Sequence, residues 1–340
     1  MFLPTKWRCL SVIFLGLFIT VSLPISADET KDEVVEEAPK GLEEFVAEFE
    51  KSTGLFILYR DPENGSVYFE VTAEQLDKEY IYFTYSENGL AEAGLFRGNY
   101  REEAVFRLHK YYDKIEFIAE NTHFYFDPKS ALSRASEANI SNALLASVKI
   151  DAESEDGQRY LINMDAVLLQ EALHQVNFLA DPDTPEHEQF SLGTLSEEKT
   201  RYDDLKVYPE NVDIRVIYAY DNDSPYVSGG DEVTDPRSMI VTLQHTFMEM
   251  PQNNYESRFD DARIGYFRNQ VTDLTSHSIT PYRDLINRWH LEKKNPSLAI
   301  SEPLEPIVWW LENTTPDAYR ESIRQGVLAW NEAFEKAGFK

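Results

Sequence analysis

The sequence predicts an α+β fold built mainly of antiparallel strands, arranged as a sandwich or a strongly bent sheet with short helices at its margins. Two observations carry this. Segments rich in aromatic and β-branched residues recur at short intervals with Gly, Pro, Asn and Asp between them. Helical periodicity is confined to the stretch after residue 41 and the last twenty-five or so residues of the 340-residue chain.

The elements follow in order. Leu42, Phe45, Val46 and Phe49 recur at helical spacing, with Gly54 as the expected stop. GLFILYRD and SVYFEV flank Asp61-Pro62-Glu63-Asn64-Gly65, the turn chemistry of a hairpin. Thr72 and Gln75 form a capping-box pattern for one helical turn before the strand Tyr80–Tyr85. AVFRLHKYY, KIEFIAEN and HFYFD predict further strands, the first two joined at Asp113-Lys114. LLASVKIDAE turns through Ser154–Gly157 into RYLINM, and Val167–Leu169 opens a short helix. VDIRVIYAY and SMIVTLQHTFMEM bracket the polar loop 221–237. Beyond Pro303, Ile307–Leu311 reads as a strand. A helix over 316–337 follows, with Thr315 as N-cap, Pro316 at its first position and Gly338 at its end. Its apolar stripe is Tyr319, Ile323, Val327, Trp330, Phe334 and Ala337, which needs a sheet to pack against.

Lys6 and Arg8, the apolar run Cys9–Leu23 and Ala27 have the form of a secretory signal over 1–27, too short and too broken at Pro24 to span a bilayer. An exported, periplasmic or extracellular protein without a stable membrane anchor is the expectation. Residues 28–40, acidic and free of aromatics, read as a flexible leader. Cys9, the only cysteine, falls in the signal, so disulfides, thiolate zinc sites and cysteine nucleophiles are not expected in the mature chain. Acids outnumber bases 60 to 32, for a net charge of −28, and no basic run exceeds Lys293-Lys294. A nucleic-acid partner is therefore not expected.

Every candidate for chemistry has a plainer reading beside it. No HExxH occurs; His187-Glu188-Gln-Phe-Ser191 offers Ser where the second zinc ligand belongs. Glu171-x-x-His174 has a spacing used in carboxylate-bridged metal sites but lacks a matching motif. His245 and Glu249 lie on a strand, too far apart to chelate closely, and a structural role is expected for His245. Ser228-Gly229-Gly230-Asp231 has neither the Lys nor the helix of a phosphate loop. Asp260-Asp261 beside Arg258 and Arg263 read as surface ion pairs, although calcium binding or acid–base work is open to them. The sequons at Asn64, Asn139 and Asn313 bear on function only in a glycosylating source. No catalytic, cofactor-binding or metal-ligating residue is assigned.

Several stretches resemble the bacterial zinc-dependent metalloproteases that carry N-terminal domains of unknown function 5118 and 5117. They are GLFILYRD, SLGTLSEEKTRYDDLKVYPENVDIRVIYAY, DDARIGYFRNQVTDL, SITPYRDLINRWHLEKKNPSLAISEPLEPIVWWLENTTP and VLAWNEAFEKAGF. The resemblance implies a small leading domain over 41–90, a larger β-rich domain over 91–295, and the first strand and helix of a metzincin-like α/β catalytic domain over 303–340. It implies zinc in the full-length protein, held by residues with no counterpart here, and the protein's own catalytic domain as partner, with peptide or protein substrates. The function expected on that basis is that of a non-catalytic N-terminal region, inactive alone as a protease. The rival is a self-sufficient cell-envelope binding module for peptide or glycan. A third reading, an independent hydrolase, requires Asp260, Asp261 or His187 to converge in one pocket.

Overall fold

Residues 57–72 set the pattern of the molecule. Strands β2 (Ile57–Arg60) and β3 (Val67–Thr72) form the expected hairpin, with β1 (Glu50–Thr53) added at its edge. The turn closes through Gly65 N to Asp61 O and Asp61 N to Ser66 O, both 2.9 Å, and Gly65 takes the left-handed φ of 81° that favours glycine. All described structure lies in residues 41–177 and 181–340 of the computed structural model; the signal and leader read at 1–40 fall outside the described residues.

The chain continues through β4 (Glu79–Asn88), β5 (Tyr100–Tyr111), β6 (Lys114–Ala119), β7 (Phe124–Tyr125), β8 (Ala143–Glu153), β9 (Arg159–Asn163), β10 (Thr194–Leu195), β11 (Arg201–Val207), β12 (Asn211–Asp221), β13 (Ser238–Glu249), β14 (Arg268–Asp273) and β15 (Tyr282–Ile286). Its helices are α1 (Leu42–Phe45), α2 (Asp165–Leu168), α3 (Asp317–Leu328) and α4 (Asn331–Lys336). A 12-stranded antiparallel sheet runs β1-β2-β3-β9-β8-β6-β5-β4-β13-β12-β10, with β11 also on β12. β4, before residue 90, pairs with both β5 and β13 beyond it.

The sheet folds over at β8. Residues 143–149 of β8 pair with β6, whereas Ile150, Ala152 and Glu153 pair with β9, with a register shift between Ile150 and Ala152. An irregularity of this kind bends a strand and lets it serve two layers. The layers then face each other: Phe69 on β3 meets Phe247 on β13 edge-on at 5.9 Å, and Phe56 meets Tyr80 at 5.3 Å, although none of these strands pair. Alternation along β12 and β13 sends Val212, Ile214, Val216, Tyr218, Val241, Leu243 and Phe247 into this core.

β3 is buried on both faces. Tyr68 points outward, where Leu42, Phe45, Val46 and Phe49 cover it together with Tyr59 and Leu161. The predicted apolar face exists, but α1 stops at Phe45, because the chain at Glu50 turns into a strand along β2. Gly54 is therefore no helix stop; it is a point of close approach, where an added Cβ would lie 2.3 Å from Tyr208 O. In the same outer layer Glu70, almost fully buried, accepts from Tyr59 Oη at 2.8 Å and pairs with Arg159, which also holds Glu43 of α1.

The last part of the chain departs from expectation. β7, β14 and β15 make a separate three-stranded sheet in which Ile286 alone is buried. Residues 307–311 form no strand, since no neighbouring strand accepts their backbone. The helix begins after Pro316 rather than Thr315 and divides into α3 and α4 at Trp330, whose N–H bonds back three residues to Val327 O. With Tyr319, Ile323 and Trp330 exposed, no tertiary packing holds the two parts in one continuous helix. Gly338 does end it, at φ 93°, and Ser301 pairs with Phe339 beside it.

Candidate functional site

Between the layers lies a cluster of polar side chains that hydrophobic patterning alone would not place there. β4 supplies Tyr82, β12 supplies Tyr218 and Tyr220, β13 supplies His245, and β5 supplies Arg101, with the exposed Glu102 at the margin. The segment after β9, with α2 and residues 169–177, crosses the inner face and adds Glu171 and His174, anchored by the buried Val167, Leu168 and Val176.

His245 is bonded on both ring nitrogens, to Tyr82 Oη at 2.9 Å through Nδ1 and to Tyr218 Oη at 2.8 Å through Nε2. Tyr218 also donates its only proton to Leu168 O at 2.6 Å. It must therefore accept from His245, which assigns the proton to Nε2 and leaves Nδ1 to accept from Tyr82. Burial, and next the neighbouring His174, push the His245 pKa down to about 3. Burial also raises the tyrosine hydroxyls of Tyr82 and Tyr218 well above their ordinary range. At neutral pH this is a set of uncharged, fully bonded groups.

The second half of the cluster is charged. Arg101 Nε donates to His174 Nε2 at 3.3 Å, and its terminal nitrogen donates to Val176 O at 3.3 Å. Burial first and Arg101 second hold His174 down to a pKa of about 4, although Glu102 Oε2 stands 3.8 Å from Nδ1. Glu171, at a left-handed φ of 54°, accepts from Tyr220 Oη and from Val176 N, and these bonds fix a backbone conformation that L-residues seldom adopt.

The other sequence candidates lie apart from this cluster. His187 and Glu188 sit in an exposed one-turn helix, 3.5 Å from each other. Asp261 pairs with Arg263 at 2.5 Å, as expected, whereas Asp260 pairs with Arg268 at 2.9 Å rather than with Arg258. Glu249 is exposed and makes no chelate with the buried His245. Gly230 N, in the loop from Ser228, donates to Glu92 rather than cradling an anion. Asn64 Oδ1 accepts from Ser66 N, its turn role. Among the described residues no group of three or more His, Cys, Asp or Glu side chains is placed to hold a metal, so these residues do not fit a catalytic zinc. Nor, among them, is any helix long and apolar enough to cross a membrane.

Two surface features complete the picture. A cleft of about 720 Å³ lies where β13 ends and the C-terminal segment passes, lined by Glu210, Met248, Glu249, His290, Glu292 and Leu304 among others. The C-terminal layer exposes Phe267, Ile279, Trp289, Trp309, Trp310 and Trp330, with Trp310 at 91%. Isolated exposed apolar residues are ordinary; here six large ones fall between residues 267 and 330.

These features define a folded-over antiparallel sheet with a polar cluster in its core and an aromatic C-terminal layer at its surface. The family model described as Domain of unknown function (DUF5117) matches residues 98–294, more than half of the 340, and the chain belongs to that family. The match takes in all of the polar cluster except Tyr82. No curated protein and no solved structure matches the chain.

Proposed function

We propose that this chain is the non-catalytic N-terminal region of an exported zinc-dependent metalloprotease, and that its C-terminal layer is the face that meets the catalytic domain. The observation that carries this is the exposure of Trp309, Trp310 and Trp330 on a segment whose residues 307–311 have strand composition and no strand partner. Aromatic anchors of this kind dominate the energetics of interfaces when they are buried against a partner. Membership of the DUF5117 family and the sequence resemblance in the flanking stretches support the same reading. In it, peptide-bond hydrolysis by a zinc-activated water belongs to residues outside these 340, and the β-rich region supports, shields or feeds that domain.

The test is to express the longest product of the gene and compare it with this chain in the cleavage of a denatured protein, with and without a chelator. Chelator-sensitive cleavage by the longer product, and none by this chain, is the expected result. If the longest product ends at Lys340 and the secreted protein neither cleaves nor associates with a protease, a β-rich binding module takes its place. The cleft beside Glu249 and Met248 then becomes the place to look for bound peptide.

A further inference from the structure

The Arg101–His174 contact has a chemical requirement of its own. A guanidinium is cationic at every pH a protein meets and offers only donors, so the ring nitrogen it addresses must carry a lone pair. His174 Nε2, 3.3 Å from Arg101 Nε, can accept only while the imidazole is neutral. Protonation would remove that hydrogen bond and leave two cations in contact in a site where His174 is almost fully buried.

We propose that the segment from Val167 to Asn177 is held against the inner sheet by a proton-sensitive latch, closed while His174 is neutral and released when it takes a proton. The groups facing His174 decide the direction of the effect. From β5 come Arg101, which opposes protonation, and Glu102 at 3.8 Å, which favours it. From β13 comes His245, itself kept neutral. Glu171, on the same segment, is occupied by Tyr220 of β12 and by Val176 N, and the Arg101 guanidinium also holds Val176 O. Arg101 thus anchors the segment at both His174 and Val176, and the charge that would repel protonated His174 is the charge that ties down Val176.

The sign follows from the pKa. His174 lies at about 4 in the closed state against 6.5 for an unhindered imidazole, so protons bind the open state better throughout that interval. Opening is favoured as pH falls, about tenfold for each unit below roughly 6.5, levelling off near the closed-state value and reaching about 150-fold by pH 4. An open segment uncovers Tyr218, Tyr220 and Arg101 and leaves the strand ladders in place.

Amide hydrogen exchange of the whole chain between pH 7 and 4.5, corrected for the intrinsic exchange rate, tests this. The expected result is that the amides of Leu168, Leu169 and Val176 lose protection steeply with acid while β12 and β13 keep theirs. His174→Gln, which accepts through a neutral carbonyl, should abolish the dependence. Should that variant not fold, Arg101→Gln, at a half-exposed position, should make it shallower by removing the opposing charge, the second cause after burial. Protection at these amides that does not change with pH, that is lost only in step with β12 and β13, or that responds to acid unchanged in the variants would each overturn the latch.

Discussion

Tyr82 and His245, 163 residues apart in the chain, meet in the core with Tyr82 Oη donating to His245 Nδ1 at 2.9 Å. The ring's other nitrogen donates to Tyr218, and Tyr218 donates to Leu168 O, so the three groups form one directed chain of hydrogen bonds from β4 through β13 and β12 to α2. Each member is buried and each donor has an acceptor, the condition under which a polar core specifies one arrangement rather than costing stability.

Tyr218→Phe breaks this chain at the point of greatest loss. It orphans both the His245 Nε2–H and Leu168 O, whereas Tyr82→Phe orphans Nδ1 alone. With about 1–3 kcal/mol for each buried group left unsatisfied, Tyr218→Phe should destabilise the protein by about 2–6 kcal/mol and Tyr82→Phe by roughly half as much. Urea unfolding of the two variants at pH 7 checks the ranking; equal losses would mean that the Tyr218–Leu168 bond contributes little.

Acid should weaken the fold in a defined window. His245 and His174 are both depressed, to about 3 and about 4, from an ordinary value of 6.5. The unfolded chain therefore binds protons that the folded chain refuses, and stability falls as pH drops from about 6.5 towards 4, by about 1.4 kcal/mol per pH unit for each histidine. The strongly paired surface carboxylates enter only at the acid end of that window: Asp235 beside Arg237 and Glu321 beside Arg324, both held down to about 2, begin to cost stability as pH falls through their ordinary values of 3.8 and 4.5. Urea midpoints measured from pH 7 to 4.5 should decline steadily, and His245→Gln should lower stability at pH 7 yet reduce the slope by about half.

Gly54 is a test of how the two layers close. Leu55 N donates to Tyr208 O at 2.8 Å, tying the β1–β2 turn to the β11–β12 turn. An alanine Cβ at 54 would stand 2.3 Å from Tyr208 O and 2.5 Å from Val207 Cγ1. Neither a carbonyl in a tight turn nor a packed Val can yield that much without moving the strand, so Gly54→Ala should cost about 1–3 kcal/mol, within the range of overpacking. Thermal unfolding of Gly54→Ala should show the loss, while Gly98→Ala, whose Cβ would meet nothing within 4 Å, carries only the penalty of its φ of +76°.

Much of the sheet was legible in the sequence because its signals are local. The Asp61–Gly65 turn, the Thr72–Gln75 pair, where Gln75 Oε1 accepts from Thr72 N at 2.9 Å, and the Ser154–Gly157 turn depend on neighbours in the chain. The β5–β6 turn lies one residue early, at Tyr112-Asp113, because Tyr112 adopts a left-handed φ of 52° that its side chain does not advertise. The polar cluster was not legible. Glu171, His174 and His245 were each visible, but nothing local says that β4, β5 and β12 bring three tyrosines and Arg101 to them. A tyrosine at an inward strand position reads as core, and its hydroxyl partner is set by the fold. Residues 307–311 failed for the opposite reason: their composition favours a strand, but a strand exists only where another backbone meets it.

The aromatic layer gives the last prediction, and it separates the two roles an exposed tryptophan can play. Trp309 and Trp310 are 66% and 91% exposed, so removing them takes little apolar surface out of contact within this chain. Trp309→Ala/Trp310→Ala should therefore leave the urea midpoint of the chain within about 0.5 kcal/mol of the parent, as for most exposed positions. In the longer gene product the same pair should act as interface anchors, where truncation of a buried aromatic costs about 2 kcal/mol or more. Limited proteolysis between the two regions should then proceed about thirtyfold faster or more in the variant, if access to the junction requires them to separate. A variant that destabilises this chain alone would place the tryptophans in its own core. One that is silent in both proteins would remove the C-terminal layer from the interface and with it the main support for the proposed role.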